Sequence, residues 1–169
     1  MDDLNDEQRA LIPNPLGELT LHCINKGFQL GSTVTMATIL PYQLYKSRKN
    51  FSFISTLSRV GTATIYASII GVGLSLGLMQ AKLYSEKYNQ YKIWDRAYRL
   101  RYSKNQQRVD KYVFTYSMVG GLTGLIIGLP TKFHPLSVIK GAFMAIPLGI
   151  ITHLIQGPIE NQSNKEPEN

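Results

Sequence analysis

Four glycines in one uncharged stretch constrain this chain more than any other feature. Tyr112 to Leu129 reads YVFTYSMVGGLTGLIIGL and carries Gly120, Gly121, Gly124 and Gly128. Gly120, Gly124 and Gly128 recur every fourth residue, so on a helix they form one smooth stripe. In a soluble helix each such glycine costs roughly 1 kcal/mol relative to alanine. In a membrane the backbone has no water to bond to, which enforces the helix. The glycines then let a second helix approach closely. This stretch therefore predicts a membrane helix with a packing face.

Three more long apolar stretches follow the same rule. The four expected spans are about 20–40, 57–81, 112–129 and 135–156, each near the ~20 residues that cross hydrocarbon. The mean hydropathy of −0.09 conceals them, because the charge is segregated into the connecting segments. Each span has its own small-residue spacing: Gly27 and Gly31 in the first, Gly73 and Gly77 in the second, and Gly141, Ala145 and Gly149 in the fourth. Ala63, Ala67 and Gly71 put a further small face on the second span, so that helix is expected at the centre of the bundle. A soluble bundle of buried helices is the competing reading, and the number of helix-interior glycines argues against it. The expected fold is thus all-α and integral to a membrane. It has four transmembrane helices joined by small-xxx-small packing, and one amphipathic extramembrane helix.

The flanking segments divide the rest. Residues 1–18 form an acidic polar leader, with Asp2, Asp3, Asp6, Glu7 and Glu18 against Arg9, in which Pro13 and Pro15 oppose helix. It is too polar for a secretory signal and too acidic for a transit peptide. The four-helix domain covers 19–156, and a disordered polar tail is expected from 157 to 169. Cys23 is the one cysteine, which excludes an internal disulfide.

Residues 82–111 are the basic segment, with nine Lys/Arg against Glu86, Asp95 and Asp110. Tyr84, Tyr88, Tyr91, Trp94, Tyr98 and Tyr102 recur at steps of three or four, as an aromatic stripe on a helix does. Basic residues interleaved with aromatics can bind single-stranded nucleic acid. Beside a membrane span the same pattern reads as an interfacial helix, so no nucleic acid is expected. Tyr91, Trp94 and Tyr98 would sit at headgroup level, and Arg96, Arg99, Arg101 and Arg108 would meet anionic lipid or a partner subunit.

The first span carries a polar face of His22, Lys26, Gln29 and Thr33. Two readings stand: Lys26 snorkels to the surface or meets a partner, or the face lines a polar groove. Pro41 is expected to end or kink that helix. Asp110, just before the third span, either complements that helix's N-terminus or pairs with a nearby cation. His22, His134 and His153 show no metal-ligand spacing, and there is no phosphate loop or nucleophile elbow. No catalytic, cofactor or metal site is expected, and a non-enzymatic role follows.

Four spans, each with small residues every fourth position, resemble the four-helix channel family of the mitochondrial inner-membrane protein translocases. The likeness is greatest to its branch of accessory subunits of respiratory complex I. The residues that carry it are Gly27/Gly31, Gly73/Gly77, Gly120/Gly124/Gly128 and Gly141/Ala145/Gly149, with the charged run RLRYSKNQQRVDKY ahead of the third span. The resemblance implies a multi-pass protein of the mitochondrial inner membrane that takes part in the respiratory chain as a structural subunit. It would pack against other membrane subunits and hold phospholipid, cardiolipin included. The alternative it implies is a membrane subunit of an import translocase, with the His22/Lys26/Gln29 face lining a groove. The family pattern places both termini in the intermembrane space, whereas a plain Lys/Arg count places them inside.

Overall fold

The computed structural model describes residues 6–48, 52–128 and 135–163, with side chains for residues 7, 10–48, 52–128 and 135–156. The described residues form helices and connecting turns, with no strand among them. The order is α1 (Asp6–Leu11), α2 (Pro15–Ser47), α3 (Phe53–Ser85), α4 (Gln90–Tyr102), α5 (Lys104–Gly128) and α6 (Pro135–Ser163). By length and composition alone, α3 and the Pro135–Gln156 part of α6 are long and apolar enough to cross a membrane.

Among the described residues each expected span falls inside one helix, but several boundaries differ. Pro15 opposes no helix here; it starts one. Its φ suits the first turn, and the Asn14 side chain accepts the Gly17 N–H at 2.9 Å as an N-cap. Pro41 does not end α2, which runs on to Ser47. Pro41 and Ala37 are both exposed, so the carbonyl that loses its N–H partner is not sealed in the interior. Helix also continues past 156, where a tail was expected, as far as Ser163. Leu129, the 130–134 turn with Lys132 and His134, Lys49 and residues 164–169 lie outside the described residues.

The basic segment of 82–111 is not one helix. It comprises the end of α3, all of α4 and the first two turns of α5. Lys87 and Tyr88 both adopt positive φ, 53° and 50°, which turns the chain out of α3. Asn89 then caps α4 by accepting the Lys92 N–H. Ser103 is extended and separates α4 from α5.

The long helices form two hairpins, α2 along α3 and α5 along α6. Glycine sets both approaches. A Cβ on Gly27 would lie 2.5 Å from the Val72 Cα, and one on Gly31 would run into the Ala67 carbonyl. In the other hairpin Gly120 and Gly141 each face the other's carbonyl, and Gly124 faces that of Ser137. Gly128 meets the Ser137 side chain, Ala145 meets Gly120, and Gly149 meets the Tyr112 backbone. Gly73 and Gly77 differ: nothing lies within 4 Å of a Cβ at either. Among the described residues the second small face of α3 is therefore unpartnered, and α3 is not the central helix. α6 touches α2, α3 and α5, and α2 touches α3, α4 and α6, so these two share the middle of the bundle.

Polarity is inverted along the hairpins. Ser32, Thr35, Thr56, Thr64 and Ser68 are at most 5% exposed. Four of these hydroxyls are bonded: Thr35 and Thr64 donate to carbonyls one turn back, and Ser32 and Ser68 share a 3.1 Å bond across the α2–α3 contact. Large apolar side chains point outward instead, Ile70, Leu78, Ile126 and Leu154 among them. Large aliphatic packing gathers at the end where α4 folds over. There Leu19, Met79, Leu83 and Ile93 form one cluster, and Ile12, Trp94 and Ala97 form another.

Candidate functional site: an ion pair and groove between the hairpins

Lys26 lies about three turns into α2, and Asp110 lies in the second turn of α5. The fold brings them together across 84 residues, with Lys26 Nζ 3.1 Å from Asp110 Oδ1. Gln29 completes the triangle. Its Nε2 donates to the same Asp110 oxygen at 3.1 Å, and its Oε1 accepts from Lys26 at 3.1 Å. Gln29 is buried, while the Lys26 and Asp110 side chains keep 28% and 36% exposure. Lys26 thus finds an acidic partner in this chain, and the snorkelling reading gives way. Asp110 takes the pairing role left open for it, with a cation from another helix.

A cavity of about 260 Å³ opens beside this triangle, between α2, α5 and α6. Asn25, Gln29 and Asp110 line its polar end. Phe28, Val113, Phe114, Phe143 and Ile146 line the rest. The Phe28 and Phe143 rings meet edge to face with centroids 5.3 Å apart, closing α2 against α6. His22, one turn before Lys26 on the same helix, is half-buried beside the pair. His153 is buried, and its Nδ1 has no hydrogen-bond partner among the described residues.

The basic segment is more internally paired than its composition implies. Arg96 donates to Glu86, which also pairs with Lys82 at 3.3 Å. Burial alone would raise the Glu86 carboxyl, but the hydrogen bonds and charges of Arg96 and Lys82 outweigh it and hold Glu86 below the usual carboxylate range. Arg99 pairs with Asp95 at 2.8 Å. Arg101 reaches Glu18 at 2.9 Å and the Leu11 carbonyl at 3.2 Å, tying α4 to the α1–α2 turn. Trp94, expected at a lipid headgroup, is buried against Ile12 and Ala97. The aromatic stripe folds inward at this residue because α4 needs an apolar face against the ends of α2 and α3. Tyr91, Tyr98 and Tyr102 stay exposed, and the Trp94, Tyr98 and Tyr102 rings stack in sequence along the helix. Among the described residues no three His, Cys, Asp or Glu side chains gather as a metal site.

The family profile that matches the chain runs over residues 3–156, which takes in the ion pair, the groove and both hairpins. The chain belongs to DUF1757, a family of proteins of unknown function. No curated protein and no solved structure matches it.

Proposed function

We propose that this protein is a non-catalytic, four-span membrane subunit that packs among the subunits and lipids of a mitochondrial inner-membrane respiratory complex. The observation that carries the membrane part is the inverted packing: glycine, serine and threonine fill the helix contacts while large aliphatics cover the outside. In water such a surface would be a large association liability. In hydrocarbon it is the expected arrangement, since close backbone approach replaces the hydrophobic drive between helices. The Lys26–Gln29–Asp110 triangle ties α2 to α5 and keeps those two charges paired. The open Gly73/Gly77 face of α3 supports the subunit role, since no described residue of this chain covers it. The respiratory complex, and complex I in particular, follow from the resemblance of the glycine spacing. On this reading the exposed tyrosines of α4 sit at the headgroups and anionic lipid lies alongside.

A second reading, a subunit of a protein-import translocase, draws support from one observation. Asp110 places a carboxylate in a groove between helices, where the span sequences alone offered no acid. Native gel separation with mass spectrometry of the co-migrating band discriminates the two. Co-migration with NADH-oxidising activity is the expected result. Co-migration with import machinery, with precursor uptake lost on depletion, would overturn the respiratory reading. Resistance to alkaline carbonate extraction tests the membrane assignment itself.

A further inference from the structure

The groove between α2, α5 and α6 has a charge pattern that selects a ligand class. Its polar end is made by Asp110, Gln29 and Asn25, and lies at the level of the basic segment that precedes α5. From there Val113, Phe114 and Ser117 carry it down α5, about 10 Å at 1.5 Å per residue. Phe143 and Ile146 of α6 form the opposite wall. Phe114 is 64% exposed, so the groove opens sideways at that point. A cavity of about 260 Å³ falls just below the usual ~300–1,000 Å³ of small-molecule pockets. It is long and apolar with one polar end, which suits a single alkyl chain.

Asp110 is the one charged residue lining the polar end; Lys26, whose Nζ lies 3.1 Å from its Oδ1, adjoins it, and both side chains are partly exposed. Lys26 and Gln29 both donate to Oδ1 of Asp110. A purely anionic headgroup would gain Lys26 and be repelled by Asp110, and a purely cationic one would meet the reverse. A headgroup with a phosphate and an ammonium on neighbouring atoms complements both. We propose that this groove binds one acyl chain of a zwitterionic phospholipid, its ammonium against Asp110 and its phosphate toward Lys26. The inference rests on the membrane reading above and adds a defined site to it. It is separate from the anionic lipid assigned to the outside of α4.

The test uses the full chain in nanodiscs of mixed ethanolamine, choline and glycerol phospholipids, followed by mild extraction and native mass spectrometry. One ethanolamine or choline lipid should be retained per chain, above its share of the mixture; which of the two leads reports the headgroup size the site admits. Ala142→Phe, which fills the groove from α6, should abolish retention while circular dichroism stays unchanged. Asp110→Asn should shift the retained lipid toward the anionic species, because Lys26 is then uncompensated. Retention indifferent to headgroup in both the parent and Asp110→Asn would overturn the proposal. So would a Leu/Arg amphipathic peptide that cross-links to Val113→Cys and displaces no lipid, since the groove would then be a polypeptide site. A chain that stays in the aqueous phase without detergent would instead sink the membrane reading.

Discussion

Lys26 and Asp110 show how far a single residue's role depends on its distant neighbour. Alone in an apolar stretch, Lys26 admits several explanations; with Asp110 at 3.1 Å and Gln29 bridging, it has one. The pair is about one-third exposed, so its worth is modest. A double-mutant cycle of Lys26→Met and Asp110→Leu, read by chemical unfolding in micelles, should give a coupling of about 1–2 kcal/mol. Each single variant should be less stable than the double, because it leaves one charge without its partner. A coupling near zero would mean the triangle is incidental. Glu86 makes a pH prediction at the same scale. Its carboxyl is held below its ordinary value in the fold, so the unfolded chain binds the proton more readily. The stabilisation is present above the ordinary carboxylate range and is lost as pH falls through the lowered value. Melting temperature should therefore drop on acidification below about pH 4.5, and Glu86→Gln should flatten that part of the profile.

At the scale of the element, glycine spacing alone does not tell which faces are used. Gly27/Gly31 and Gly73/Gly77 share the same four-residue step, yet the first pair touches the α3 backbone and the second faces open space. The spacing records that a face is smooth; what lies on it is decided by how the whole helix docks. Gly27→Leu should destabilise the isolated protein by about 1–3 kcal/mol or more through overpacking. Gly73→Ala should leave it unchanged or stabilise it by up to about 1 kcal/mol, from helix propensity alone. If Gly73→Leu leaves the purified chain intact but strips it from its complex on a native gel, the open face is a partner contact. α4 teaches the complementary lesson. Its periodic aromatics predicted the helix, but not that Trp94 turns inward. A stripe marks one side of a helix, and Ile93, Trp94 and Ala97 share the side that Ile12 and residues of α2 and α3 cover.

Across the whole molecule, two glycine-fitted hairpins meet on α6, and a cap of α1 and α4 gathers the large aliphatic side chains at one end. This arrangement predicts unequal local stability. Amide exchange read by mass spectrometry in micelles should be slowest in α6 and the packed part of α2, each covered by three helices, and fastest in α1 and the exposed 41–47 end of α2. Equal rates along the whole of α2 would contradict this arrangement. The sequence by itself determined the long helices, because apolar length and small-residue periodicity are local properties of a chain; the start at Pro15 and the breaks at 86–89 and Ser103 it did not show. It also determined that helix contacts would be glycine contacts, since no other residue allows backbones so close. Only the tertiary structure decided which stripes meet, that Lys26 has its acid 84 residues away, and that a groove opens beside them. Those facts depend on how whole helices rotate and slide against one another, a choice made by the sum of all contacts and written in no single segment.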